Sequence, residues 1–413
     1  MLISLPKDVQ SILNSLSLAG HSAYIVGGCV RDSLMKITPQ DWDIATSAKP
    51  HEIKAIFPHT VDTGIAHGTV TVVFNRNNYE VTTFRIDGVY LDGRHPKDVT
   101  FTTDLEADLS RRDFTINATA YNSDTRLVDP FDGLKDIHKQ NIRCVGHAPS
   151  RFTEDALRMM RAIRFSAQLS FTIDVDTYQA IAPLSERLGL VSIERIREEL
   201  TKILSSSNPG ALPLLEKTNL WPQILRDAPF YGDLSQTVSW LKECPKEPAM
   251  LYALLLFNEK NAADFMGHLK FDNLTIKETA LYVQWLHKHI ANQRYEVKTI
   301  LNVMGVDHLK KLLILKGILE PHKREHWEAV RVTCEDIICS GECFTLRDLA
   351  VDGRELIAIG IPPNKTIGRV LAALLDLVMS DPSFNQKEVL LDTACKLRDG
   401  CKVNSMRNSP DGL

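Results

Sequence analysis

Two short stretches decide the fold of the N-terminal part: Gly27-Gly28-Cys29-Val30-Arg31-Asp32 and, soon after, Asp41-Trp42-Asp43. Ala23 to Val26, just before them, is a short apolar run ending in the double glycine, a strand-to-turn signal. Glycines let backbone N–H groups approach phosphate oxygens closely, and Arg31 can add a charge-assisted contact to the same group. In a strand, residues two apart point to one face, so Asp41 and Asp43 are expected side by side. Like charges so placed are costly unless a cation sits between them. Alone, the first motif reads as a plain turn and the second as two surface aspartates. In succession they point to a nucleoside triphosphate held with one or two Mg²⁺ ions.

Outward from these motifs, Val9 to Leu18 carries helical apolar spacing. Thr69–Phe74 and Tyr79–Phe84 are β-branched and aromatic runs separated by Asn75-Arg76-Asn77-Asn78, which predicts a hairpin. Glu80 falls on its second strand, close to the aspartates if the strands are neighbours. Arg85 to Pro96 is polar and glycine-bearing and reads as a long loop of the functional kind. Leu127 to Gly133 supplies a strand and a turn. Beyond about residue 148 strand signals nearly vanish. Glu154–Leu169, Val175–Leu188 and Ile193–Leu204 read as helices, and amphipathic helical segments with short breaks follow from Ala211. Arg407 to Leu413 reads as a frayed tail. The fold class expected is α+β: a mixed sheet with helices, then an all-helical remainder.

A chain of 413 residues is too long for one typical core, so two or more domains are expected. No stretch approaches the roughly 18 apolar residues of a membrane span. The start, Met1-Leu2-Ile3-Ser4-Leu5-Pro6-Lys7-Asp8, lacks the layout of a signal peptide. Scattered cysteines argue for reduced thiols and a cytoplasmic protein. Cys334, Cys339 and Cys343 cluster without zinc-site spacing and read as helix packing. A net charge of −4 means that any nucleic-acid contact must come from local basic clusters, of which Lys310, Lys311, Lys316, Lys323 and Arg324 form the clearest.

Three further stretches carry chemistry. In Arg111-Arg112-Asp113-Phe114-Thr115-Ile116-Asn117-Ala118 the arginines could meet triphosphate oxygens and Asp113 a ribose hydroxyl; the alternative is a basic helix start capped by Asp113. In Glu154-Asp155-Ala156-Leu157-Arg158-Met159-Met160-Arg161-Ala162-Ile163-Arg164, a continuous helix would set Asp155 beside Arg158. The plain alternative is an ion-paired surface helix. An accepting Asp beside a donating Arg, however, fits cytosine and adenine, whose exocyclic amine adjoins a ring-nitrogen acceptor. The pair opposes uracil and guanine, where each mismatched buried group costs on the order of 1–3 kcal/mol. Ser192 to Glu199 reads as an ion-paired helix holding that helix in register.

Taken in order, these motifs resemble the class II tRNA nucleotidyltransferases and bacterial poly(A) polymerases of the polymerase-beta superfamily, strongly over residues 20 to about 205 and weakly beyond. The resemblance implies a seahorse-like architecture: a polymerase-beta-like nucleotidyltransferase head over 1–147, a helical neck with the nucleotide template over 148–210, and a helical body and tail over 211–413 that hold tRNA. It implies that Gly28, Arg31 and Arg112 bind nucleotide and that Asp41 and Asp43 are catalytic and ligate Mg²⁺. Asp155, Arg158, Arg161 and Arg164 would line the nucleotide pocket, with Asp155 and Arg158 matching the family's base-reading pair. Glu80 is a further acidic candidate. The implied activity is template-independent addition of CCA to tRNA from CTP and ATP with release of pyrophosphate, without a membrane partner and with room for a homodimer. Rival activities are A-addition and poly(A) synthesis; a non-catalytic RNA-binding protein is the rival from another class. Relatives that add only CC are expected to lack much of the Arg85–Pro96 loop. His95 departs from a common arginine, and Leu34–Gln40 lacks a common glycine. The chain has no His-Asp dipeptide, so an appended metal-phosphohydrolase domain is not expected.

Overall fold

A computed structural model describes residues 2–88, 99–226 and 230–406, with side chains as far as residue 398. Short apolar runs and alternating residues build the first part: α1 (Lys7–Leu18), β1 (Ala23–Val26), α2 (Gly28–Leu34), β2 (Ile44–Thr46), α3 (Pro50–Ile56), β3 (Thr60–Gly64), β4 (Thr69–Phe74) and β5 (Asn77–Thr83). β6 (Arg85–Asp87), β7 (Val99–Phe101), α4 (Leu105–Ser110), β8 (Ala120–Asn122), β9 (Arg126–Val128) and α5 (Gly133–His138) follow. Seven strands form one mixed sheet in the order β3-β4-β5-β2-β1-β8-β9, parallel only between β2 and β5. Alternation sends Val26, Ala45 and Ala120 to one face, where they pack with Phe84 and with Leu109 of α4. This is the α+β head that the sequence predicts.

The hairpin forms, with a tighter turn than expected. Phe74 pairs with Asn77, so the turn is Asn75-Arg76, both at positive φ (49° and 68°), the arrangement of a type I′ turn. Asp41 and Asp43 stand just before β2 rather than inside a strand. The backbone at Asp43 is nevertheless fixed, because its carbonyl accepts the Val26 N–H at 3.0 Å. Part of the expected Arg85–Pro96 loop is strand: β6 pairs with β7 through Arg85↔Phe101 and Asp87↔Val99. From residue 89 onward that loop, His95 included, and the Arg407–Leu413 tail lie outside the described residues.

Strand pairing reaches slightly beyond residue 148, since β10 (Asn141–Ile142) runs parallel to β11 (Thr172–Ile173). Around it stand α6 (Ala148–Glu154), α7 (Leu157–Leu169), α8 (Val175–Gln179), α9 (Ile181–Leu184) and α10 (Ile193–Leu204). The helix expected over Glu154–Leu169 is broken at Asp155, whose backbone is extended (φ −139°, ψ 105°) and whose carboxylate accepts the Leu157 N–H at 3.0 Å. A short aspartate side chain that captures a nearby backbone donor favours a helix start over a helix interior. The stretch Val175–Leu188 divides similarly into α8, α9 and a 3₁₀ segment, with Pro183 removing a donor inside α9.

The described residues fall into two compact units. One comprises Met1–Lys242, Lys246–Leu251 and Asn258–Asn273; the other comprises Glu243–Pro245, Tyr252–Phe257 and Leu274–Leu413. The second is helical, with long helices over Arg294–Leu319 (broken at Gly305), Arg324–Cys339 and Lys365–Ser380. The basic cluster expected there does not form one surface. Lys316 is buried, and its ammonium donates to the carbonyls of Leu286 (3.0 Å) and Lys288 (2.7 Å). Burial lowers its pKa to about 8. Lys323 pairs with Glu320 and Arg324 with Glu243. Cys334 and Cys343 are buried and Cys339 exposed, and among the described residues no three His, Cys, Asp or Glu side chains are placed to hold a metal ion. Nor is any described helix long and apolar enough to cross a membrane.

Candidate active site

Sheet register gathers the predicted residues at one end of the sheet. β1 runs into Gly27 where antiparallel β2 begins, so the double glycine and Asp41-Trp42-Asp43 share that end. Ile44 pairs with Val81 in parallel, which sets Asp43 level with Glu80. On the far side of β1 the Gly27 N–H donates to the Thr119 carbonyl at 3.2 Å, bringing in the segment after Arg112. Asp41, Asp43 and Glu80 line one open cleft of about 870 Å³. The Asp43 carboxyl is held above its usual range, first by loss of hydration in the cleft and then by the charges of Glu80 and Asp41, against the pull of Arg112. Crowded carboxylates of this kind gain from a cation between them. Among the described residues no third side chain is placed with the two aspartates to hold an ion, and such a pair suits a hard ion that keeps water and phosphate oxygens in its shell, so these residues fit a divalent metal.

Gly27 adopts φ 76°, a region that disfavours side chains, and a Cβ there would lie 2.9 Å from Arg112 Nη1. The guanidinium of Arg112 therefore rests against the glycine turn. Among the described residues its Nε is buried without a hydrogen-bond partner, and its one ion pair is a long 3.5 Å contact to Asp108. An unpaired buried donor beside a glycine turn is suited to an anionic ligand. Asp108, 1% exposed, also accepts from Arg111 Nη2 (2.8 Å) and from the Arg85 N–H (3.2 Å), so one buried acid orients both arginines and β6.

Arg31, Arg161 and Arg164 converge on the ring of Phe165, at 5.1, 5.4 and 3.9 Å from its centroid. Arg31 is buried and bonds Asp32 and Asn117 (2.7 Å). Arg161 grips Asp113 through Nε at 2.7 Å and through Nη2. Burial alone would raise the Asp113 carboxyl; Arg161 outweighs it and holds the group well below the usual carboxylate range. Asp113 is thereby engaged by Arg161 and Asn117, and it also accepts the Phe114 N–H at 2.8 Å. Arg164 forms an ion pair with the buried Glu199 at 2.6 Å, and burial lowers its pKa to about 10 despite that partner.

Asp155 and Arg158 lie on either side of the helix break, Asp155 at the end of α6 and Arg158 in the first turn of α7. Asp155 pairs with Arg195 of α10 at 2.9 Å. Arg158 donates to Glu154 (2.7 Å) and to the Arg111 carbonyl (2.9 Å). The Arg158 contact ties α7 to the arginine segment of the head, and the Asp155 pair ties the start of α7 to α10. The ion-paired helix expected over Ser192–Glu199 does hold that stretch, through Glu199 to Arg164 and Arg195 to Asp155, whereas sequence reading gave no role to Asp108, Asn117 or Phe165. Only Asp108 carried a local signal, four residues before Arg112 on a helical pattern.

Family models match three stretches of the chain. The poly(A) polymerase head domain matches residues 23–143, the "Probable RNA and SrmB-binding site of polymerase A" matches 170–230, and tRNA nucleotidyltransferase domain 2 matches 246–394. The CCA-adding enzyme of Leuconostoc mesenteroides is 38% identical over 396 residues, covering 93% of this chain and 94% of that protein. The chain belongs to the family of CCA-adding enzymes. The crystal structure of the Bacillus stearothermophilus CCA-adding enzyme in complex with CTP superposes with a TM-score of 0.83 at 32% identity, covering 96% of this chain and 98% of that one. The Thermotoga maritima CCA-adding enzyme complexed with tRNA(CCA) shares the fold at 20% identity, with a TM-score of 0.61. This chain is accordingly a nucleotidyltransferase of a family whose chemistry uses divalent metal.

Proposed function

We propose that this chain adds or repairs the 3′-terminal CCA of tRNA in the cytoplasm, using CTP, ATP and Mg²⁺, with 1–147 as catalytic head, 148–210 as neck and 211–413 as the tRNA-holding body and tail. The observation that carries the reading is the meeting of Asp41 and Asp43 with the Gly27-Gly28 turn and Arg112 at one end of the sheet, in a chain aligned over 93% of its length with a CCA-adding enzyme. Mg²⁺ held by Asp41 and Asp43 would neutralise triphosphate charge and make the primer hydroxyl a better nucleophile. In the reaction the tRNA 3′-oxygen bonds to the α-phosphorus, the bond from that phosphorus to the β-phosphate oxygen breaks, the hydroxyl proton passes to solvent, and pyrophosphate leaves.

Each side chain has a role by position. Arg112 and the turn at Gly28 receive phosphate oxygens, and Arg31, Arg161 and Arg164 set a cationic wall behind them. Asp155 accepts from the exocyclic amine of C or A while Arg158 donates to the ring nitrogen. Arg195 leaves Asp155 lone pairs to spare, since a carboxylate offers about four acceptor positions. Asp43→Asn tests the centre: CMP incorporation should fall about a thousandfold with an unchanged melting temperature. Near-normal incorporation would remove Asp43 from the reaction.

A further inference from the structure

Three guanidiniums crowd one ring: Arg164, Arg31 and Arg161 stand 3.9, 5.1 and 5.4 Å from the centroid of Phe165. A cation within about 6 Å of an aromatic centroid is drawn to the negative face of the ring, more so where water is excluded. Phe165 is 5% exposed. The three cations arrive by different routes. Arg161 lies one turn before Phe165 on α7, Arg164 adjoins it, and Arg31 comes from α2. Phe114 fixes the ring from another side, edge to face at 5.8 Å and 84°. Its neighbour Asp113 grips Arg161, so one dipeptide buttresses both the ring and one of its cations. A Cβ on Gly28 would lie 3.7 Å from Arg31 Nη2, so the cluster also borders the glycine turn.

Charge in this cluster is balanced in pairs. Arg31 has Asp32 at 2.7 Å, Arg161 has Asp113, and Arg164 has Glu199 at 2.6 Å. The pairs do not use up the donors. Arg161 gives Nε and Nη2 to Asp113, and Arg164 gives Nε to Glu199 and Nη1 to Gln168. A guanidinium carries five N–H donors, so both keep some for an anion. The side chain of Arg161 is 33% exposed, against 10% for Arg31 and 11% for Arg164, so an anion reaches the cluster on the Arg161 side.

We propose that Phe165 is a positioning residue for the triphosphate: its ring holds Arg31, Arg161 and Arg164 in place beside the Gly27-Gly28 turn without touching the ligand itself. The inference rests on the reading of the chain as a nucleotidyltransferase that uses CTP and ATP. A ring face attracts a guanidinium and leaves its N–H edge free for carboxylate or phosphate, which an aliphatic side chain in the same space does not do. The triphosphate is the part that CTP and ATP share. Phe165 therefore acts on both alike and takes no part in base choice.

The test uses the full chain with Mg²⁺, and inorganic tripolyphosphate as a probe that has neither base nor ribose. Phe165 is replaced by 4-fluorophenylalanine and by 3,4,5-trifluorophenylalanine. Fluorine draws charge from the ring face with little change of size, so packing on Phe114 stays while the pull on the cations fades stepwise. The Kd for tripolyphosphate, by calorimetry, and the KM values for CTP and ATP rise together along the series, reaching roughly threefold to tenfold in the trifluoro protein. The KM for tRNA stays within about twofold, and the ratio of CMP to UMP incorporation does not move. Phe165→Leu, which removes the ring face, lies at the far end of the same trend; the fluorinated proteins decide the matter if it is unstable. Values that do not change along the fluorinated series, or a loss confined to one nucleotide, would overturn the proposal. Tripolyphosphate binding that weakens along the series in a protein that incorporates no CMP would count against the proposed function and leave the role of Phe165 standing.

Discussion

Asp113 is the most tightly held acid of the site: Arg161 grips one carboxylate oxygen, and the other accepts from Asn117 and the Phe114 N–H. Removing its charge would leave Arg161 uncompensated, so Asp113→Asn should lower unfolding free energy by about 3–5 kcal/mol in urea titrations at pH 7. Because the folded-state pKa lies below the unfolded one, the stabilisation is present above about pH 4 and is lost as pH falls through the depressed folded value. Wild type and Asp113→Asn should therefore converge in stability in strong acid, as pH-dependent urea melts would show. Asp155→Ala and Arg158→Ala test base choice: each should raise incorporation of UMP relative to CMP by about tenfold or more. Unchanged ratios would exclude the pair as the base reader. Asp41, Asp43 and Arg112 were legible because their chemistry is local, a few residues of fixed type at short spacing. The relation of Asp155 to Arg158 was not, because counting by threes assumes an unbroken helix. The sequence held the clue, since Asp155 two residues before Leu157 is a capping residue in the making.

Elements set the site through register more than through composition. The β4–β5 hairpin places Glu80, and β2 places Asp43, because a parallel pairing at Ile44↔Val81 fixes both. Its turn carries strain, as Arg76 sits at φ 68° with a side chain that such a region disfavours. Arg76→Gly should stabilise the protein by about 1 kcal/mol, read as a melting temperature higher by a few degrees with unchanged activity. No gain would mean that tertiary contacts already absorb the strain. The hairpin was legible from two β-branched runs, but not the two-residue turn, since Asn75-Arg76-Asn77-Asn78 offers several turn placements of similar quality. Pairing between β2 and β5 joins residues far apart in the chain, and nothing in a single sequence reports that adjacency.

At the scale of the whole chain, helices beyond residue 148 were legible from period, while the role of individual charges was not. Lys316 read as a surface cation, yet Leu309, Leu312 and Lys316 share one helical stripe and all three are buried. A lysine on an apolar stripe is a candidate for burial with its charge on backbone carbonyls, as found here. The central claim, that one active site adds C, C and then A, is tested most directly by primer extension. Purified protein is offered tRNAs ending before CCA, after C and after CC, with CTP alone, ATP alone or both. The account predicts complete CCA on the first tRNA with both nucleotides, and CC with CTP alone. Extension of only the CC-ended tRNA, long A tails, or tRNA binding without any incorporation would contradict it.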